Sequence, residues 1–252
     1  MSKATVALAV LAALSIVAVA ALSLAPGPLY AAGLLDLGAA FAVLFDIVPG
    51  AGIAAIVVGL LCLAAAVVKR LWAAASLGAL ACLVGAGAAI SIADLKRSAA
   101  LHPLHDVTTD LDTPPVFEKL TPRRYSAVGA DSRAAYPHPD WRSTHGDIYP
   151  DLKRITLNVP LEEALQRAQA VAAAMGWTIE ASGKTAVFAR IEAVDDTGWF
   201  GFRDDIAVEM VQGPGGVTMV DARSVSRIGI SDLGENARRL REFLDRMESE
   251  LR

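Results

Sequence analysis

The sequence predicts an α+β protein in two parts. A three-helix transmembrane region comes first, and an antiparallel sheet domain with helices on one face follows. Before residue 94 only Lys3, Asp36, Asp46, Lys69 and Arg70 are charged, although the chain holds 23 basic and 27 acidic residues. Uncharged apolar runs fill that region. After residue 150 the apolar period alternates between strand and helix spacing, in the order β-α-β-β-β-β-α.

Residues 1–93 form the predicted transmembrane region, because a span needs about 20 apolar residues. The runs 4–25, 47–68 and 71–93 meet that length. The first exceeds the apolar core of a cleaved signal, and Pro26 follows it at once, so it reads as a retained anchor. Residues 30–46 carry Asp36 and Asp46 among Leu34, Leu35, Leu37, Phe41, Leu44 and Phe45. They read as an interfacial segment; a fourth span there would invert everything downstream. Gly52, Gly59, Gly78, Gly85 and Gly87 would let helices approach closely. Cys62 and Cys82 lie in these runs and read as packing residues.

Basic residues near span ends set orientation. Lys3, Lys69 and Arg70 place the N-terminus in the cytoplasm and the C-terminal domain outside, as in a bacterial inner-membrane protein. Lys96 and Arg97 then stand on the unfavoured side. The soluble part is acidic on balance, which speaks against nucleic acid.

Residues 94–150 read as an extended Pro-rich arm. Pro103, Pro114, Pro115, Pro122, Pro137, Pro139 and Pro150 forbid long helices. Phe117, Leu120, Tyr125, Tyr136, Trp141 and Tyr149 require a surface to pack on. The soluble domain is 151–252. Lys153–Asn158 reads as a strand. A helix opens at Pro160 with Glu162 and Glu163 at its positive end, and Gly176 closes it. Strands follow at Trp177–Ala181, Thr185–Ala193, Phe202–Val211 and Val217–Val225. Turns are expected at Ser182–Lys184 and Gly213–Gly216. Asp232 and Glu235 read as a capping box. The last helix carries Leu233, Ala237, Leu240, Leu244, Met247 and Leu251 on its apolar side. The pairs Glu235/Arg239, Arg238/Glu242, Arg241/Asp245 and Glu242/Arg246 lie opposite.

Several motifs resemble those of the family catalogued as domain of unknown function 1499. They are His105–Asp110 with Pro114-Pro115, Tyr149–Leu152, Met175-Gly176-Trp177 and Arg190–Ala193. Trp199–Asp205 and Arg223–Gly229 through Ser231–Ala237 complete the set. The resemblance covers roughly residues 102–246 and implies no activity, so no catalytic residue carries over. Ile230 stands where a basic residue would be expected, which weighs against an extended basic site.

The candidate site is Arg223, Ser224, Ser226 and Arg227 at the entry to the last helix, with Trp199, Phe200 and Phe202 beside it. Arginine forks, hydroxyls and a helix N-terminus suit an anion such as a lipid phosphate. The competing reading pairs these arginines internally with Asp221 and Asp232. Asp204 and Asp205 with Arg223 and Arg227 form the enzymatic alternative, an acid/base set for an envelope substrate. Arg190, Glu192, Asp205 and Glu209 more simply form a charge ladder on an open sheet face. Gly183-Lys184-Thr185 lacks the first glycine of a phosphate loop. His102, His105 and Asp106, and His138, Asp140, His145 and Asp147, are ligand types without a supporting shell, so no metal or cofactor is expected. The sequence reading is thus a membrane-anchored envelope protein, binding a partner protein or lipid rather than catalysing. A structural subunit of a membrane assembly is the third reading.

Overall fold

The computed structural model describes residues 2–120, 140–229 and 231–249. The chain divides into two units. One comprises Met1–Arg97 with Trp199–Gly201, and the other Ser98–Gly198 with Phe202–Arg252.

In the first unit, α1 (Lys3–Leu24) is capped by Ser2, whose Oγ accepts the Thr5 N–H. A short α2 (Pro26–Ala31) and α3 (Leu37–Ala42) follow. Here the structure departs from expectation. Instead of a separate interfacial helix, α3 runs through one π-helical turn, Val43–Ile47, into α4 (Val48–Val68). Pro49 has no N–H for the carbonyl four residues back, and the wider turn carries the helix past it. Last comes α5 (Trp72–Leu101). Lys3–Leu24, Leu37–Val68 and Trp72–Leu101 are long and apolar enough to cross a membrane.

Four of the five glycines named above form a seam between α4 and α5. A Cβ on Gly52 would stand 2.7 Å from the Gly85 carbonyl, and one on Gly59 2.6 Å from that of Gly78. Any side chain there would force the helices apart. Gly87 faces open space and takes no part.

The second unit is a six-stranded antiparallel sheet. Its main elements are β2 (Ile155–Leu157), α7 (Leu161–Ala174), β3 (Thr178–Lys184), β4 (Phe188–Asp196), β5 (Arg203–Gln212), β6 (Thr218–Ser226) and α8 (Glu235–Ser249). The strands β6, β5, β4 and β3 lie side by side, and β2 pairs with β6. This is the predicted order. The turn after β3 comes later than expected: β3 reaches Lys184, and Thr185 Oγ1 accepts the N–H of Phe188.

Two elements lie inside the stretch read as an extended arm. A first strand, β1 (Asp106–Thr108), pairs with Arg223–Val225 of β6. A helix, α6 (Trp141–Ile148), presents two side chains to β1: Trp141 Nε1 donates to the Asp106 carbonyl at 3.0 Å, and His145 Nε2 accepts the Thr108 N–H at 3.1 Å. The arm's Phe117, Leu120, Trp141 and Tyr149 do find partners, with Leu120, Trp141 and Tyr149 buried. Tyr125 and Tyr136 lie outside the described residues.

The core lies between the helices and one sheet face. Alternation sends Ala189, Ile191 and Ala193 of β4, and Ile206, Val208 and Met210 of β5, to that side. There they meet Ala164, Leu165, Ala168, Val171 and Ala172 of α7 and Leu240, Phe243, Leu244 and Met247 of α8. Trp177 stacks on Phe243 with centroids 5.1 Å apart. Asp232 does cap α8, its carboxylate accepting the N–H groups of Gly234 and Asn236 at 2.8 and 2.7 Å. The Glu235 half of the expected box instead pairs with Arg238.

Candidate functional site

Strand geometry divides the residues that the sequence groups together. Successive side chains of β6 point to opposite faces. Ser224 and Ser226 face α8, whereas Arg223 projects to the other side. Arg227, just beyond the strand, also reaches that side, where it meets Asp205.

On the helix side the hydroxyls join a buried polar network. Ser224 Oγ donates to Asn236 Oδ1 at 2.6 Å. The Asn236 amide donates to Ser226 Oγ and to the His105 carbonyl, both at 3.0 Å. The network's centre is Arg239, which is 1% exposed. It donates to Ser224 Oγ at 3.0 Å, to Asn236 Oδ1, to Asp195 at 2.7 Å and to Asp204 at 2.8 Å. Asp195 and Asp204 are direct cross-strand neighbours. Two acids so placed repel, and the guanidinium between them converts the repulsion into a bridge.

On the opposite face Arg223 makes a bidentate pair with Asp106, at 2.9 and 2.7 Å. Its remaining nitrogen donates to the Pro115 carbonyl at 3.1 Å, and Phe117 lies 5.4 Å from the guanidinium carbon. Arg227 grips Asp205 Oδ1 through two nitrogens at 3.0 and 2.8 Å. All four residues are buried. The expected partners were different ones: Asp221 instead pairs with Arg154 at 2.6 Å and accepts from Thr109 at 2.9 Å. Burial raises its carboxyl above the ordinary range, against the pull of Arg154. Asp232 is engaged at the α8 cap, and burial raises its carboxyl as well.

This face is covered in part, with a cavity of about 380 Å³ left beside Phe188, Arg190 and Glu192. Residues 115–120 cross it as a strap. Three successive N–H groups, of Glu118, Lys119 and Leu120, converge on the Glu192 carboxylate at 2.9–3.0 Å. Such a run of amides is a ready-made anion nest, here filled by the protein's own carboxylate. Val116 N–H donates to Glu209 at 3.2 Å, and Arg190 pairs with Glu209 at 2.9 Å and with Glu118. Of the expected ladder, the Arg190–Glu209 rung forms. Glu192 and Asp205 are buried and serve other partners.

The same alternation bears on the enzymatic reading. Asp204 and Asp205 are adjacent in sequence and point to opposite faces, so they cannot converge on one substrate as a pair. His102 and His145 take aromatic and backbone partners. His102 stacks parallel to Tyr149 and shares a 3.2 Å hydrogen bond with its hydroxyl. His145 is buried, and desolvation lowers its pKa. Its Nδ1 meets no hydrogen-bond partner among the described residues. His138 and Ile230 lie outside the described residues.

A family model for proteins of unknown function, DUF1499, matches residues 106–247, more than half of the chain. The chain belongs to this family. A search of curated proteins finds no match. The DUF1499 match begins with β1 and ends within α8, so it takes in every charged side chain of both arginine networks. The three apolar helices precede it.

Of the aromatic candidates, Trp199 and Phe200 belong to the first unit and Phe202 to the second. Trp199 Nε1 donates to the Leu24 carbonyl at 3.2 Å, and a Cβ on Gly27 would stand 2.9 Å from the indole. Phe200 packs against Tyr30 and Phe41, with centroids 5.9 and 5.6 Å away. Sequence reading overlooked Asp195, Asn236 and Arg239 as members of one network, and Asp106 as the partner of Arg223 on the other face. A signal existed for two of them: Asn236, Arg239, Leu240 and Phe243 stand at i, i+3, i+4 and i+7, the spacing of a buried helix face.

Proposed function

We propose that this DUF1499 protein is a membrane-anchored, non-enzymatic binding module of the cell envelope, with its sheet domain held outside the cytoplasm. One observation carries the choice of binding over catalysis. Every acidic or basic side chain from Trp199 to Asn236 is engaged within the fold. Asp204, Asp205, Arg223 and Arg227 have the partners given above. Arg203 pairs with Asp196, Glu209 with Arg190, Asp221 with Arg154 and Glu235 with Arg238, and Asp232 caps α8. A general acid or base must reach substrate. These groups reach one another.

The orientation is supported from within the first unit. Lys69 Nζ donates to Ser2 Oγ at 2.8 Å and to Thr5 Oγ1 at 3.3 Å. That contact brings Lys3, Lys69 and Arg70 to one end of the bundle, and a concentration of Lys and Arg marks the cytoplasmic side. Trp72 is exposed at the same end, where an interfacial anchor belongs. Helix α5 then carries the chain to the opposite side.

Paired reporters test this reading. Alkaline phosphatase fused to the C-terminus should be active, and a cytoplasm-dependent fluorescent protein at the same position should be dark. The reverse pattern would overturn the orientation. Photo-crosslinkers placed on the exposed surface of the sheet domain in native membranes should give a discrete adduct. A ladder identical to that from a scrambled surface would sink the binding module.

A further inference from the structure

The first unit carries an unusual pair of cations. Lys96 and Arg97 are exposed near the C-terminal end of α5, on the opposite side of the bundle from Lys3, Lys69 and Arg70. On the orientation proposed above, Lys and Arg are disfavoured there. Their setting is also specific. Pro49 lacks the N–H that would bond the Phe45 carbonyl in a regular helix, and Lys96 Nζ donates to that carbonyl at 3.2 Å. The same ammonium lies 5.8 Å from the centre of the Phe45 ring. Lys96 is therefore held at a defined place by a neutral carbonyl and a ring, and among the described residues no acidic side chain pairs with it. An ammonium has three N–H donors, so two remain for a ligand. Arg97 follows directly, exposed and in no ion pair among the described residues. Phe41 packs edge-on against Phe45 at 5.6 Å, and Phe41, Phe200 and Trp199 continue the aromatic cluster. Of these, Trp199 has the amphipathic ring that favours the headgroup level of a bilayer.

We infer that Lys96 and Arg97 form a binding site for the phosphate of an anionic phospholipid, with the Phe45 ring and the π-helical turn as its rigid wall. The ligand chemistry is a phosphate monoanion at the membrane–water boundary, reached by two cations that no acidic side chain among the described residues pairs with. This deepens the binding reading and takes its outer-leaflet position from it. The phosphate site itself is tested without reference to topology.

The experiment uses the full-length protein in phosphatidylcholine nanodiscs containing a small fraction of spin-labelled phosphatidylglycerol. Motionally restricted label reports lipid held at the protein. Phosphatidylglycerol should be preferred over labelled phosphatidylcholine, and high salt should weaken the preference. Lys96→Gln and Arg97→Gln should each lower it by roughly five-fold, the worth of one cation at a membrane surface. Lys96→Arg should retain it, and Lys69→Gln/Arg70→Gln at the other end should leave it unchanged. Inorganic phosphate added to the buffer distinguishes the sources: displacement of the label at millimolar phosphate would mean a site for free phosphate, which overturns the lipid assignment. Equal restriction of both lipids, or a preference that survives Lys96→Gln/Arg97→Gln, would also overturn it. These outcomes are independent of the reporter fusions, so the site and the orientation can fail separately.

Discussion

The two faces of the sheet are closed by different physics. One is covered by α7 and α8 through apolar contact, with Ile206, Val208, Met210, Leu240 and Phe243 at its centre. The other is crossed by a strap held by Glu192 on three amides and by Arg223 on the Pro115 carbonyl, beside the buried pairs Arg223–Asp106 and Arg227–Asp205. Apolar contact is non-directional and tolerates volume-conserving change. A buried charge tolerates almost nothing done to its partner, because the survivor stays desolvated and uncompensated. The apolar face should therefore degrade gradually and the ionic face abruptly.

Asp205→Ala is the harshest test of that contrast. It strands the Arg227 guanidinium and should cost about 3–5 kcal/mol. The double change Asp205→Leu/Arg227→Met should recover most of the loss. Denaturant unfolding in detergent, followed by tryptophan fluorescence, reads both. If single and double variants lose equally, the pair is not what holds that face. On the apolar side, Leu240→Ala should cost about 2–5 kcal/mol, the range for a core cavity. Adding back volume with Leu240→Met should restore stability to within about 1.5 kcal/mol, a rescue with no counterpart among single changes at Asp205.

Acidification separates the faces further. Burial holds the His145 pKa below the ordinary 6.5. Below pH 6.5 the unfolded chain binds a proton that the folded one refuses, so this contribution to stability is present above 6.5 and is lost as the pH falls. One proton bounds the slope of this loss at about 1.4 kcal/mol per pH unit. His145→Gln, which keeps an acceptor for the Thr108 N–H, should flatten that limb of a stability–pH curve. A smaller effect is expected at the α8 cap. Asp232→Ala should cost about 1 kcal/mol, visible as a shifted unfolding midpoint with an unchanged slope. Smallest is the solvent-exposed pair of Arg246 and Glu242, where Arg246→Ala should stay within about 0.5 kcal/mol. A large loss there would show that surface charges also brace the domain.

Much of this fold was legible because long elements advertise their period. The apolar side of α7, from Leu161 to Ala172, and the alternation of Ile206, Val208 and Met210 could be read directly. The Gly52–Gly85 and Gly59–Gly78 contacts were half legible: composition showed that helices could approach there, and only packing shows which glycines meet. Short elements were not legible. Asp106–Thr108 is too brief for any period, and its strand state comes from pairing with β6. The eight residues of α6 hide among prolines that argue against a helix. The partners of the candidate-site residues were illegible for another reason. Arg223, Ser224, Ser226 and Arg227 are near in sequence, and proximity in a strand puts neighbours on opposite faces. The true partners, Asp106 for Arg223 and Asp195 with Asp204 for Arg239, lie 117 residues and some 40 residues away and depend on strand register. Local pattern carries no record of that register.

The contact between α6 and β1 has a consequence for the protein's behaviour at high concentration. A sheet edge normally presents its backbone as a template on which another strand can grow. Here an indole already occupies the Asp106 carbonyl and an imidazole already occupies the Thr108 amide. An incoming strand would have to evict two buried rings before its first hydrogen bond formed. The edge is sealed by side chains, and three residues of strand can end a sheet safely where a longer bare edge would invite aggregation.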